Sequence, residues 1–222
     1  MTVFLDLAQQ LEPYLEKIPT LWDGKQAITE MKDSGYPHWR QMEWIGFYFQ
    51  YLCEKHLHPI MEIPGTRYGK TTFDGFMEIP WDFKAHAMNT SSHKIIVNDS
   101  EAIANALNEF GAVGLILAAG KVTYNDENRT FQQWHDALKG KPSAYVQRNR
   151  QRGAWSRLRK TVFDLQQISF IKITEDMLLE SGSFQTNFRN SNGKPRRQKL
   201  MLNLEKIDNN LLHFIEFPRR RK

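Results

Sequence analysis

The strongest constraint in this chain is an apolar segment that also carries charged side chains. It reads Phe73-Asp74-Gly75-Phe76-Met77-Glu78-Ile79-Pro80-Trp81-Asp82-Phe83-Lys84. Its apolar residues predict a buried strand, where a charged side chain needs a compensating partner. Because residues i and i+2 of a strand share a face, Asp82 and Lys84 are predicted to point the same way, with Phe83 turned into the core.

These charges have the composition of a hydrolytic metal site. Two carboxylates and an ammonium group on one sheet edge can hold a divalent cation and an attacking water, which is the equipment of a metal-dependent phosphodiesterase. Mg²⁺ prefers few carboxylates together with waters and phosphate oxygens, so Asp74, Asp82 and the backbone carbonyl of Phe83 are candidate ligands. Lys84 would orient the water, and its pKa is expected to be depressed beside the metal.

Two other interpretations of the segment stay open. An Asp-x-Lys pair on an exposed strand is a common surface pattern, and Asp74-Gly75 is a common turn pair. Glu78 could replace either aspartate, although we expect it in a solvent-exposed turn.

The periodicity of the rest of the chain predicts alternating helices and strands. Helices are predicted over residues 3–17 (kinked by Pro13), 22–32, 37–57, 100–110, 127–138 and 175–181. Strands are predicted in the motif region and over residues 93–97, 112–119 and 163–173, with a late hairpin of residues 200–204 and 211–217. Residues 59–72 are expected to form a loop. This order predicts an α/β (α+β mixed) fold, a central mixed β-sheet flanked by helices.

We expect one domain over residues 1–222. It has a helical N-terminal part (1–58), a core that carries the motif (59–124) and a basic part (125–222). The single cysteine, Cys53, excludes an intrachain disulfide and favours an intracellular compartment. No apolar stretch approaches the roughly 18 residues of a membrane span, and the N-terminus does not resemble a secretory signal.

Positive charge is concentrated late in the chain. Residues 141–160 hold seven lysines and arginines without an acid, residues 181–204 hold five without an acid, and residues 219–222 hold four. Together these exceed the net charge of +5, so the remainder is net acidic. Such segregation is typical of nucleic-acid binding, although ordinary solvated side chains are the alternative.

The basic stretches mix arginine with amide side chains, which can read guanine and adenine respectively. The candidate DNA-contacting residues in the first stretch are Gln147, Arg148, Asn149, Arg150, Arg152, Arg157, Arg159 and Lys160. Those in the second are Arg189, Asn190, Asn192, Lys194, Arg196 and Arg197, with a hairpin tip predicted at Asn192-Gly193. Arg67 and Lys70 are also available for phosphate. Their segment resembles a phosphate-binding loop, but three residues instead of four separate its glycines, so no nucleotide cofactor is expected.

The motif and the order of elements over roughly residues 37–120 resemble the PD-(D/E)xK nuclease superfamily, and within it the small type II restriction endonucleases. The resemblance implies a restriction-endonuclease-like core in which Asp74 and Asp82 bind one or two Mg²⁺ ions and Lys84 is the catalytic lysine. Members often add a glutamate from the preceding helix, for which Glu43 is the best candidate. The proline expected before the first acid is replaced by Phe73.

The resemblance implies a site-specific endonuclease for double-stranded DNA in a prokaryotic cytoplasm. Cutting both strands of a palindrome would require a two-fold homodimer. A structure-specific or repair nuclease without base readout is one alternative, and a non-catalytic nucleic-acid-binding protein is another.

Overall fold

The structure is a computed structural model that describes residues 2–124, 126–154, 156–185, 195, 197–208 and 212–217. The described residues form seven α-helices: α1 (Thr2–Leu15), α2 (Gly24–Asp33), α3 (Trp44–Leu57), α4 (Ser100–Phe110), α5 (Thr130–Leu138), α6 (Ala144–Gln151) and α7 (Glu175–Ser181). Their strands are β1 (Leu21–Asp23), β2 (Arg67–Tyr68), β3 (Thr71–Thr72), β4 (Gly75–Met77), β5 (Ile79–Ala87), β6 (Lys94–Asp99), β7 (Val113–Thr123), β8 (Val162–Ile173), β9 (Gly182–Gln185), β10 (Lys199–Asn203) and β11 (Leu212–Glu216).

A mixed sheet organises the molecule. Its strand order is β1-β8-β7-β5-β4, and β11 also pairs with β8. Strands β5 and β7 are parallel, whereas the other neighbours are antiparallel. A smaller antiparallel sheet has the order β6-β10-β9, and β2 and β3 form a two-stranded ribbon. The predicted mixed α/β class, with a mixed sheet flanked by helices, is confirmed.

The parallel pair β5–β7 is connected through β6 and α4. A parallel connection needs a long crossover, and residues 88–112 provide it. Helix α4 begins after Asp99 and ends at Gly111, whose φ of 72° is the left-handed conformation that glycine adopts at low cost. This confirms the predicted helix end.

Both faces of the main sheet are covered. One face, with Phe83 and Ile116, packs against α1, α2 and α3. The other face, with Leu115 and Leu117, packs against α4 and the smaller sheet. In the register of the parallel pair, Asp82 lies opposite Leu115 and Lys84 opposite Leu117, so both charged residues belong to this second face. The expected inward direction of Phe83, which is 3% exposed, is confirmed.

Helix α1 includes Pro13 and ends at Leu15, two residues before its predicted end. Two other predicted helix boundaries are wrong. The expected second helix begins at Gly24, because β1 precedes it and Asp23 caps it by accepting hydrogen bonds from the N–H groups of Lys25 and Gln26. The long helix expected over residues 37–57 is divided into a 3₁₀ turn, Pro37–Arg40, and α3.

The prediction of a late hairpin is also wrong. Both of its strands exist, but β10 pairs with β6 and β9, whereas β11 pairs with β8. A separate hairpin tip, predicted at Asn192-Gly193 in the second basic stretch, lies outside the described residues. None of the described helices combines the length and apolarity that a membrane span requires.

A close contact between β5 and β7 yields a test of this packing. A methyl group on Gly114 would overlap the fully buried indole ring of Trp81. We therefore expect Gly114→Ala to lower the free energy of unfolding by about 1–3 kcal/mol, as overpacked cores do. Chemical denaturation with intrinsic fluorescence measures this change.

Gly46→Ala is the matched control, because nothing lies within 4 Å of its added methyl group. Gly46 lies in α3, where alanine is favoured over glycine by up to about 1 kcal/mol. Equal stability of the two variants would contradict the described contact between Gly114 and Trp81.

Candidate functional site

Lys84 and two aspartates form one charged cluster at the edge of the main sheet. The Nζ atom of Lys84 lies 3.2 Å from Oδ2 of Asp82 and 3.6 Å from Oδ2 of Asp74. The three side chains are 28%, 1% and 16% exposed respectively. The structure therefore brings the three residues of the predicted motif together, in the order of elements that the sequence indicated.

Asp74 reaches this cluster because β4 is short. The pairing of β4 with β5 covers Ile79–Trp81 and stops at Gly75. Beyond that point, the N–H group of Phe83 donates a hydrogen bond of 2.7 Å to Oδ2 of Asp74. The carboxylate thus replaces a backbone acceptor. In extended backbone the carbonyl of a residue points to the same side as its N–H group, so the Phe83 carbonyl lies at this edge too.

Asp82 is the most buried member of the cluster. Its Oδ1 atom accepts a hydrogen bond of 3.0 Å from Nδ2 of Asn98, at the end of β6. Asn98 is itself fixed, because its Oδ1 accepts from the N–H group of Asp99 at 2.8 Å. Oδ2 of Asp82 has no hydrogen-bond partner apart from the ion pair with Lys84. Asp82 therefore carries an incompletely compensated buried oxygen.

Burial is the largest influence on the pKa of Asp82. Loss of solvent raises the pKa of Asp82 to about 7, against the lowering effect of Lys84 and with a further raising contribution from Asp74. Burial alone would lower the pKa of Lys84, but the two carboxylates outweigh it and the pKa is raised. The two carboxylates therefore stabilise the ammonium form of Lys84.

Helix α3 connects the N-terminal helices to this cluster. Gln50 donates from Nε2 to Oδ1 of Asp74 at 3.1 Å. One turn further on, Glu54 accepts from the hydroxyl of Tyr36 at 3.1 Å, and its pKa is raised by burial and by the charge of Asp74. The charge of Glu54, on α3, is thus influenced by Asp74, although its hydrogen-bond partner is Tyr36.

Glu43, the predicted helix glutamate, lies just before α3 and has another partner. Its Oε2 atom forms an ion pair with Nζ of Lys160 at 3.0 Å, and its side chain is 70% exposed. Because this charge is already paired, Glu43 is left out of the proposed ligands. Glu78 is exposed at the β4–β5 turn with φ of 56°, as the turn interpretation expects.

A second acid and a second lysine lie near the cluster on the covered face. Asp99 is 2% exposed, and its Oδ2 atom has no hydrogen-bond partner. Lys199 of β10 is partly buried. Burial lowers its pKa against the raising effect of Asp99 and Asp82, which places its charge in the field of the same carboxylates. The sequence analysis identified neither residue.

Two clefts open beside the cluster and share Glu43, Ile45 and Lys160. The Lys84 cleft, of about 310 Å³, is also lined by Gly46, Phe47, Gln50, Phe83, Lys84, Ala85, Ala87 and Phe163. The tyrosine cleft, of about 720 Å³, is also lined by Met42, Trp44, Tyr124, Tyr145, Arg157, Leu158 and Arg159. Nε1 of Trp44 donates to the carbonyl of Lys160 at 2.8 Å, which fixes this wall to the start of α3.

The predicted DNA-contacting residues are distributed unevenly. Those that are exposed are Arg67, Lys70, Gln147, Arg148, Arg150, Arg152, Arg157 and Arg197, whereas Asn149 and Lys160 are partly exposed. Arg159 is 7% exposed, and burial lowers its pKa against the effect of nearby acids such as Asp136, so it is left out of the proposed DNA contacts. Arg189, Asn190, Asn192, Lys194 and Arg196 lie outside the described residues.

The segment that resembles a phosphate-binding loop leads into strands. Residues 65–72 run into β2 and β3, and no helix starts there among the described residues. Gly65 packs against the backbone of Gly75, so its role is close packing beside β4. Among the described residues, the segment therefore does not lead into the helix N-terminus that a phosphate-binding loop uses.

The donor set at the cluster suits a hard cation. Within the described residues, no three His, Cys, Asp or Glu side chains converge to form a complete metal site. Asp74, Asp82 and the carbonyl at Phe83 nevertheless give two carboxylates and one neutral oxygen. This is the sparse protein donor set of Mg²⁺, which keeps several waters or phosphate oxygens. The uncompensated Oδ2 of Asp82 fits such a ligand.

No family model, curated protein or solved structure matches this chain. The functional interpretation therefore depends on the geometry of its own residues. Four side chains of the site, Gln50, Asn98, Asp99 and Lys199, were missed by the sequence analysis. Of these, Gln50 carried a signal, because it shares a helical stripe with Glu54.

The buried carboxylate predicts how stability depends on pH without metal. The folded state holds the Asp82 proton up to about pH 7, whereas the unfolded chain releases it near 3.8. The folded state thus binds more protons in this window, so the free energy of unfolding falls as pH rises from about 4 to 7. This decrease in the free energy of unfolding amounts to about 2–4 kcal/mol, and we expect it to be absent from the Asp82→Asn variant.

Chemical denaturation in EDTA at several pH values measures this difference. Asp33→Asn is the matched control, since the Asp33 side chain is 66% exposed. A wild-type pH profile that stays parallel to that of Asp82→Asn would contradict the assignment.

Proposed function

We propose that this protein is a Mg²⁺-dependent, site-specific endonuclease for double-stranded DNA, related to the type II restriction enzymes of the PD-(D/E)xK superfamily. The observation that carries the proposal is the convergence of Asp74, Asp82 and Lys84, with ion-pair distances of 3.2 and 3.6 Å. The position of the Asp-x-Lys strand beside a parallel strand, with α4 in the crossover, supports it as well.

Each residue of the cluster has a role that its environment supports. Asp74 and Asp82 would hold one or two Mg²⁺ ions together with the carbonyl of Phe83. A bound Mg²⁺ supplies charge neutralisation at the phosphate and lowers the pKa of a bound water. Lys84 keeps its ammonium form beside the carboxylates, so it can position a water and stabilise negative charge that develops on phosphate oxygens.

The surface near the Lys84 cleft supports nucleic acid as the substrate. Arg148, Arg150 and Arg152 are exposed on and just after α6, and Arg157 lines the tyrosine cleft. These side chains can neutralise backbone phosphates, and the exposed amide of Gln147 is available to a base edge. To cut both strands the enzyme would act as a two-fold homodimer in a prokaryotic cytoplasm.

Digestion of plasmid DNA tests the proposal. With Mg²⁺ the purified protein is expected to produce discrete fragments. EDTA, Lys84→Ala or Asp82→Ala is expected to lower the cleavage rate at least about 100-fold, because each removes charge stabilisation from the transition state. Lys55→Ala is the matched control, since Lys55 forms an ion pair with Glu30 at 3.2 Å.

The products separate the proposal from its alternatives. Sequenced fragment ends at one short motif support site-specific cleavage. Cleavage of flaps, nicks or mismatches without a sequence preference would indicate a structure-specific nuclease. Salt-sensitive binding without metal-dependent cutting, together with a Lys84→Ala variant that binds normally, would indicate a non-catalytic DNA-binding protein.

Asn98 gives a second prediction at the same site. Its amide is the hydrogen-bond donor that fixes Oδ1 of Asp82. Asn98→Asp would replace that donor by a carboxylate beside a buried aspartate, so we expect it to lower the cleavage rate about 10- to 100-fold, the usual cost of losing a partner of a metal ligand. Raising the Mg²⁺ concentration should partly rescue Asn98→Ala, which only removes the donor to Asp82, but not Asn98→Asp.

Asn89→Ala is a suitable control. Asn89 also bonds through its amide, to the carbonyl and N–H group of Val122 at 2.9 Å each, but away from Asp82. Rate titrations against Mg²⁺ measure the effects. An Asn98→Asp enzyme with normal rate and metal dependence would contradict a positioning role for Asn98.

A further inference from the structure

The tyrosine cleft has a composition that phosphate binding alone does not require. Tyr124 and Leu158 are 37% and 40% exposed, and they stand at this opening with Tyr145 of α6. Burying such side chains against a partner would be favourable, because apolar surface is removed from water. Cationic residues surround them, since Arg157, Arg159 and Lys160 line the same cleft.

Aromatic rings and cationic side chains in one cleft favour a particular class of ligand. An anionic ligand satisfies Lys160 and the exposed Arg157, and a flat aromatic ligand satisfies the tyrosine rings. A nucleotide unit has both properties. The cleft volume of about 720 Å³ lies in the range of small-molecule sites, so it has room for one base and its sugar.

The position of the cleft relates it to the candidate catalytic cluster. The tyrosine cleft shares Glu43, Ile45 and Lys160 with the Lys84 cleft. A DNA strand whose phosphate lies beside Lys84 can therefore continue past Lys160 into the tyrosine cleft. A base that stays paired and stacked in a duplex is sterically withheld from a pocket of this kind, whereas an unpaired base can enter it.

We infer that the tyrosine cleft binds one unpaired nucleobase of the DNA strand that lies along the Lys84 cleft. This inference rests on the proposed function, because it takes DNA as the substrate. Tyr124 and Tyr145 stack on the base, and Arg157 and Lys160 contact the adjoining phosphates. The protein consequently prefers a duplex that presents an unpaired base over a fully paired duplex.

Binding to labelled DNA in EDTA tests the inference without any cleavage. Two duplexes of the same sequence are compared by fluorescence anisotropy, one fully paired and one with a single bulged adenine. We expect tighter binding of the bulged duplex, with a dissociation constant about 5- to 100-fold lower, the range that stacking of one base on aromatic rings provides. Tyr124→Ala and Tyr145→Ala should each remove most of this preference.

Two further variants make the result specific. Tyr145→Phe keeps the ring and should keep the preference, which excludes unfolding of α6 as the cause of the alanine effect. Tyr14→Ala removes a partly buried tyrosine on α1, outside both clefts, and should also keep it. Equal affinity for the two duplexes, or a preference that survives both alanine variants, would overturn the inference.

The binding result and the cleavage result are separable. Metal-dependent cleavage without a preference for the bulged duplex would refute the role of the tyrosine cleft and leave the nuclease proposal intact. A preference that depends on the tyrosines, in a protein that cuts no DNA, would refute the nuclease proposal and retain the cleft as a base-binding site.

Discussion

The parallel pairing of β5 with β7 is the constraint on which the site depends. It fixes residues Trp81–Ala87 of β5 against β7, with helices on one face and α4 and the smaller sheet on the other. A strand covered in this way normally consists of apolar residues. Asp82, which is 1% exposed, departs from that rule, and its hydrogen bond from Asn98 and ion pair with Lys84 offset only part of the desolvation cost. Replacing such a buried pair with apolar side chains is often neutral or stabilising, which is consistent with the chemical role proposed for it.

The site also depends on the backbone groups at the edge of β5 that β4 leaves unpaired. A longer β4 would have covered the N–H and carbonyl groups of Phe83 with backbone partners. Instead the chain turns away before Gly75, and the carboxylate of Asp74 accepts from the Phe83 N–H group. The same carboxylate accepts from Gln50 of α3. Asp74 therefore connects the N-terminal helices to β5 while one of its oxygens remains near Lys84.

Local patterns were sufficient for the elements that hold the motif. The two-residue period placed Asp82 and Lys84 on one face, and the helix predicted over residues 100–110 matches the bounds of α4. Pairing partners were harder to predict because they are set by contacts distant in sequence. Strands β10 and β11 have ordinary strand composition, and nothing local shows that each joins a different sheet.

The same limit applies to the candidate site. Asn98 and Lys199 approach Asp82 only because β6 and β10 pair beneath β5, a contact that joins segments about 100 residues apart. Glu43 shows the effect of a local boundary. It was expected within the helix that precedes the motif, but α3 begins at Trp44, so Glu43 lies just before the helix and pairs with Lys160.

The ion pair between Glu43 and Lys160 links the cluster to the basic part of the chain. It lies where the Lys84 cleft and the tyrosine cleft meet, and it holds a lysine in place at partial exposure. A phosphate that enters this junction competes with the Glu43 carboxylate for the same ammonium group. Because an exposed ion pair of this kind contributes about 0–1 kcal/mol, a phosphate diester can displace Glu43 at little cost. Under the proposed function, the acidic N-terminal region and the basic segment after α6 therefore meet at a weak contact that a DNA backbone can replace.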